Sequence, residues 1–223
     1  MSTQAGGPDR VTDRRIALLE SARRLFALQG YAGTRTEEIV TGAAVTRSAL
    51  YYHFRDKVDL FGAVARIVAD EWAARLAIPL ARLAEQGTRL DLRVGIETYL
   101  DAGLDPEFQR IVLVDAPAIL GSTAWNALVD ERGIGFLRTW LQRAIDERQI
   151  DPMPVEPLAR LLSAVVAEAG LYIAGSDRPD DARRDTTEAI DRMLLGLGLG
   201  LGLGLGPAHG GRPRPSEALP AGS

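Results

Sequence analysis

Apolar residues recur at three- and four-residue steps along most of the chain, and no stretch alternates apolar and polar positions long enough to make a strand. The pattern predicts an all-α protein. Thr12 can cap a first helix whose inner positions are Ile16, Leu19, Ala22 and Phe26, with Gly30 ending it. A short second helix begins near Thr36. It has Glu37 and Glu38 in its first turn, where carboxylates suit the positive end of the helix dipole, and it carries Ile39, Val40 and Ala43. After Ala44 and Val45, a third short helix covers about 46–53. Asp56 then caps a long helix running from Lys57 into the eighties, which Pro79 should kink or break because it lacks an amide donor.

Beyond Gly87 the helical segments lengthen. One covers about 89–103, and the next opens on Asp105 as cap with Pro106 in the first turn and runs to Pro117. A third spans about 122–148 and closes in the proline-rich turn 151–154; the last two cover about 155–176 and 179–195. Leucine–glycine repeats and a proline- and glycine-rich stretch follow, too poor in buryable surface to offset the entropy of ordering, so disorder is expected there. The expected organisation is a flexible N-terminus (1–11), a helical unit (12–56), a larger helical body (57–195) and a low-complexity tail (196–223).

Composition narrows the chemistry. With no cysteine and only His53 and His209, thiol chemistry, disulfides and histidine-rich metal sites are excluded, and no cofactor or metal is expected. The longest leucine–glycine run, 194–206, is too short and too rich in glycine to span a bilayer, and residues 1–10 lack the apolar core of a signal peptide. A soluble, cytoplasmic protein with no membrane partner is the expectation. The net charge of −4 speaks against nucleic acid only until it is divided along the chain. Residues 1–60 carry nine basic and seven acidic side chains, and the acid excess belongs to the remainder. Arginine supplies 25 of the 26 basic residues, a bias that coding preference can explain without phosphate binding.

Three short helices ahead of a long one fit a helix-turn-helix unit attached to a helical body. In the third helix, Leu50 and Phe54 are four apart and, with Val45, face the first two helices. That leaves Thr46, Arg47, Ser48, Tyr51 and Tyr52 pointing outward. Hydroxyl and phenol groups bond phosphates, and arginine can read guanine O6 and N7 with two donors. Lys57 starts the next helix beside the expected backbone, together with that helix's amide end, and Thr36 can clamp the opposite phosphates.

At these residues the stretch Gly30 to Phe61 resembles the DNA-binding domain of the TetR (tetracycline-repressor-like) family of bacterial transcriptional regulators. The matching pieces are Leu25-Phe26 before Gly30-Tyr31, Thr34 and Thr36 before Ile39, Ala43-x-Val45-Thr46, and Leu50-Tyr51-Tyr52-His53-Phe54 with Lys57 and Leu60-Phe61. The resemblance covers about residues 12–62. It implies a homodimer on a palindromic double-stranded operator, regulated by a small-molecule effector that the sequence does not identify, with repression as the commoner mode. It adds Thr34 and His53 to the expected DNA contacts; within a lone helix, His53 would otherwise cap or bond locally. The family usually has glycine at the turn where this chain has Ala44, so a left-handed backbone there would cost alanine on the order of 1 kcal/mol.

Residues 63–195 resemble effector-binding domains of the family less specifically, through Val112 to Gly121. Two stripes suggest the dimer interface, as an intersubunit four-helix bundle: Leu158, Leu161, Leu162, Val165, Ala169, Tyr172 and Ile173 on one helix, and Ile190, Met193, Leu194 and Leu197 on the next. The alternative is that both stripes face their own core. A pocket among the middle helices would draw on Trp72, Tyr99, Phe108, Trp125, Phe136, Trp140 and Tyr172. Asp115 and Glu168 stand inside apolar runs; each would be paired with an arginine such as Arg132 or Arg138, or would meet a polar effector. An enzyme is disfavoured because no nucleophile–base set assembles around a histidine in the recognition helix. The alternating glycines at 196, 198, 200 and 202 also lack the flanking strand and helix of a dinucleotide loop. A ligand-binding scaffold without operator reading is the other alternative.

Overall fold

The structure is a computed structural model that describes residues 8–85, 92–129, 134–148 and 150–199. Ten α-helices follow one another, with no strand among the described residues. The first four are α1 (Pro8–Gly33), α2 (Thr36–Gly42), α3 (Arg47–His53) and α4 (Lys57–Glu85). After α5 (Leu92–Ala102), α6 (Pro106–Phe108) passes directly into a π-helical segment, Gln109–Asp115, and then into α7 (Ala116–Val129). The remaining helices are α8 (Gly135–Asp146), α9 (Val155–Ala174) and α10 (Pro179–Gly196).

Several element ends follow from their caps. The Thr46 hydroxyl accepts the Ala49 amide at 3.2 Å and starts α3. Asp56 accepts the Asp59 amide at 2.8 Å while Asp59 accepts the Arg55 amide at 3.0 Å, a reciprocal cap on α4. Asp105 accepts both the Glu107 and Phe108 amides at the start of α6. Gly30 has φ 71 and ψ 172, a region that only glycine visits freely, and α1 kinks there before its last short turn.

Ala44, in the turn between α2 and α3, has φ 52. An alanine in the left-handed region is strained, so Ala44→Gly should raise the unfolding free energy by about 1 kcal/mol. In a domain of this size that lifts the melting temperature by about 2–4 °C. A lower melting temperature in the variant would contradict the assignment.

Other expected boundaries are corrected. Helix α1 begins at Pro8, so Thr12 lies inside it rather than capping it, and α4 continues through Pro79. A proline removes one rung of the backbone ladder, and the rungs on either side carry the helix across it. Pro117 does not end its helix either: the π segment runs straight into α7, the chain forgoes one backbone bond there and stays helical, and the backbone breaks at Gly121 instead (φ 76, ψ 165). Within the helix expected over 122–148, the described residues form the end of α7 and all of α8, and residues 130–133 between them lie outside the described residues. The tail boundary also moves: Leu199 is buried, and its amide donates to the Leu194 carbonyl at 2.7 Å. The rest of the expected disordered tail, 200–223, and most of the expected flexible N-terminus lie outside the described residues.

Two apolar cores hold the fold. The first joins Leu18, Ala22 and Phe26 of α1 to Ile39, Leu50, Phe54, and the Leu60, Phe61 and Val64 run of α4, and it continues into Phe108, Ile111, Val112 and Ala116. It therefore crosses the boundary expected at 56/57. The second joins α5, α8, α9 and α10 through Leu100, Trp140, Leu141, Leu162, Ile173 and Ile190, among others. By length and composition α9 could cross a bilayer. Its Leu162, Val166, Ala169 and Ile173 are nevertheless turned into this second core.

Candidate nucleic-acid interface

Helix α3 separates an inner face from an outer one. Leu50 and Phe54 are buried, and Val45 packs against the same core. On the other side Tyr51 and Tyr52 are 45% and 76% exposed, and Thr46, Arg47 and Ser48 are exposed with them. Two large aromatic residues left in water beside an arginine form a surface with donors, acceptors and stacking faces. His53 is half-buried, its ring edge-on to Tyr52 at 5.1 Å.

Arg47 does not hang free. Its Nη1 lies 3.0 Å from Glu37 Oε1 on α2, its Nη2 donates to the Tyr51 hydroxyl at 3.5 Å, and its guanidinium sits 5.6 Å from the Tyr51 ring centre. The Glu37 carboxyl is held below its ordinary range first by a backbone N–H and then by the Arg47 charge and other neighbours. Thr36 is half-buried, and its hydroxyl donates to the same carboxylate at 3.3 Å.

Two expected contacts have structural roles. Thr34 is buried and its hydroxyl donates to the Gly30 carbonyl at 2.8 Å, so it locks the end of α1 and does not face a phosphate. Lys57 is half-buried: its Nζ donates to the Tyr31 carbonyl at 2.5 Å and lies 4.0 Å from the Tyr31 ring centre. It latches the start of α4 to the end of α1, and burial pushes its pKa down.

The helix-turn-helix unit is tied to the body at two places. The Tyr31 amide donates to Asp115 Oδ2 at 2.7 Å, and Arg110 Nε stands 3.6 Å from the same oxygen. A Cβ at Gly30 would meet only the Arg110 guanidinium, the movable end of a long side chain, so it is the positive φ that favours glycine there. Asp115 thus finds its partners at Arg110 and a backbone amide, whereas Arg138 pairs with Glu156; Arg132 lies outside the described residues. At the second tie, Arg23 of α1 donates from Nη1 and Nη2 to Glu71 of α4, each at 2.7 Å, and from Nε and Nη2 to Glu107 of α6 at 2.7 and 2.6 Å. Sequence reasoning missed this clamp, because residues 48 and 84 positions apart leave no local pattern.

Hydrogen bonds from Arg23 hold the Glu71 carboxyl below its usual range, with burial opposing them. Its folded pKa thus lies under its unfolded one. The stability it lends is complete above the unfolded value and is lost as pH falls through the folded value. Melting curves between about pH 3 and pH 6 should show Arg23→Gln with a shallower acid loss than the parent chain. Superimposable acid limbs would contradict the clamp.

With this geometry in place, residues 18–64 match the family model of bacterial regulatory proteins of the tetR family, and residues 90–197 match a tetracyclin repressor-like C-terminal domain. The HTH-type transcriptional repressor AcnR of Corynebacterium glutamicum is 32% identical over 177 residues, which are 74% of this chain and 84% of that protein. The chain belongs to the TetR family. It is a DNA-binding transcriptional regulator. The AcnR of Corynebacterium diphtheriae is 44% identical over 151 residues, 60% of this chain and 77% of that protein. A TetR-family transcriptional regulator from Pectobacterium atrosepticum has the same fold in its crystal structure, with a TM-score of 0.72, 30% identity, and coverage of 86% of this chain and 97% of that one.

The other residues expected to serve this TetR-family regulator are dispersed. Trp72, Tyr99 and Phe108 do meet: Phe108 lies 5.5 Å from Trp72 and 6.0 Å from Tyr99, ring centre to ring centre, and burial pushes the Tyr99 phenol up to about 12. Trp125 packs at the edge of the first core, while Phe136 and Trp140 belong to the second. Glu168 and Tyr172 are exposed on α9, so Glu168 needs no buried partner. The expected dimer stripes also divide. Leu162, Ala169, Ile173, Ile190 and Leu194 are buried in their own core, Leu158 and Val165 are half-buried, and Leu161 and Met193 are exposed. A stripe read at every third and fourth position covers more of a helix than one neighbour can bury, so the core takes one edge and solvent keeps the other.

Proposed function

We propose that this chain is a ligand-responsive repressor that binds a palindromic operator as a homodimer in the cytoplasm and has no catalytic role. The observation that carries the reading is the outer face of α3, where Tyr51, Tyr52, Arg47 and Ser48 stand exposed above a buried Leu50 and Phe54. In the proposed contact, Thr46, Ser48, Tyr51, Tyr52, His53 and Thr36 meet phosphate and sugar, and Arg47 meets base edges. The unit over 12–56 supplies the DNA contact, and the body over 57–195 supplies dimerisation and effector binding.

The exposed edge of α9 and α10, with Leu161, Tyr172, Met193 and Leu197, supports a bundle with a second copy. The Trp72–Tyr99–Phe108 cluster supports an effector site between α4, α5 and α6. A ligand there would act through the two ties described above, because Phe108 adjoins Glu107 of the Arg23 clamp and leads into the π segment ending at Asp115. Its effect would be to favour one spacing of the two heads over another.

Selection of bound duplexes from the parent genome by the full chain tests this reading. The expected product is an inverted repeat whose half-site centres lie about 34–36 Å apart. Recovery of sequences with no common half-site would favour a helical ligand-binding scaffold instead.

A further inference from the structure

We propose that Glu37 is a specificity-determining residue of the DNA face: it holds Arg47 in position for a G·C base pair and penalises docking on bare phosphate. This inference rests on the reading of the outer face of α3 given above. Glu37 lies in the first turn of α2 and Arg47 opens α3, so the pair spans the two helices of the reading unit near their N-terminal ends. Both side chains are more than half exposed, and the ion pair between them is 3.0 Å long.

An exposed pair of this kind adds little to folding stability, so stability does not explain it. Nor does affinity for a polyanion. A carboxylate on the approach face cancels the charge of the arginine beside it, in a unit whose surplus over residues 1–60 is only two positive charges. What the pair does supply is geometry. Glu37 engages Nη1, and the Tyr51 hydroxyl and ring hold the other side of the guanidinium. A guanidinium carries five N–H donors, so donors remain for guanine O6 and N7 after these contacts. The Glu37 carboxylate has unused lone pairs, and the amino group of a cytosine is the base-edge donor that a carboxylate accepts in the major groove. On phosphate the same carboxylate has nothing to accept and repels.

The test compares the full-length chain with Glu37→Gln, which keeps the shape and removes the charge. Glu20→Gln, an exposed α1 position, serves as a control of equal charge change. Binding is measured to the selected operator and to a scrambled duplex over a range of salt. For Glu37→Gln the operator-to-scrambled affinity ratio should fall by about tenfold or more. The salt slope on scrambled duplex should steepen by about 0.9 per head, the increment for one more neutralised phosphate. Reselection with this variant should lose the G·C preference at one position of each half-site, and Glu20→Gln should leave the ratio within about twofold. A ratio unchanged in Glu37→Gln, or one altered equally by Glu20→Gln, overturns the proposal while leaving the DNA face intact. A parent chain that does not discriminate operator from scrambled duplex overturns both.

Discussion

Phe61→Ala should lower the unfolding free energy by about 3–5 kcal/mol, the largest stability loss expected from any single truncation at the joint between the head and the body. Phe61 is fully buried and meets two other aromatic residues edge-on, Phe26 at 5.1 Å and Tyr31 at 5.2 Å. Its removal leaves a void where α1 and α4 cross, and α1 is pinned there by Lys57 and Asp115, so the walls cannot collapse freely. For a chain of this length each kcal/mol shifts the melting temperature by about 2–4 °C, and the drop should be plain in a thermal melt. Leu28→Ala, at a position 76% exposed, should change stability by no more than about 0.5 kcal/mol. A Phe61→Ala loss as small as that of Leu28→Ala would mean that the two helices are not joined through this core.

Arg47→Ala should weaken operator binding by at least about 30-fold, since a dimer loses one two-donor base contact from each head. The melting temperature should not change, because Arg47 is exposed and its contacts lie on the surface. This separates it from Lys57, which the sequence placed among the phosphate contacts and which the structure uses as a latch on Tyr31. Lys57→Ala should therefore lose thermal stability as well as DNA binding. Equal operator affinity in Arg47→Ala and the parent would remove α3 from the proposed base contact.

The parts of the fold that were legible in the sequence are those fixed within a few residues. Asp56 caps the helix that its position predicts, and Leu50 and Phe54 turn inward as a four-residue spacing requires. The left-handed turn at Ala44 could be anticipated from the glycine that relatives usually carry. What stayed hidden depends on contacts distant in sequence. Thr34 reads as an exposed hydroxyl until the Gly30 kink brings that carbonyl within reach. The carboxylates that bind Arg23 come from α4 and α6, and Asp115 accepts, besides its contact with nearby Arg110, an amide 84 residues away. Proline misled twice for one reason: Pro79 and Pro117 each lie in a helical run continuous on both sides, where the missing amide costs a single bond and does not end the element. The π segment carries no local signature at all, since its residues QRIVLVD would suit an ordinary α-helix.

The proposed reading to be tested is that the outer face of α3 binds duplex DNA, with Arg47 on base edges and the neighbouring polar side chains on phosphate. The most direct measurement is the binding constant of the full-length chain for a selected operator between about 50 mM and 200 mM salt, alongside a scrambled duplex. The account predicts that log K falls linearly with log salt for both, with the operator bound more tightly throughout and with the shallower dependence per unit of affinity that base contacts confer. A binding constant that does not respond to salt, or operator and scrambled duplex bound alike, would contradict it.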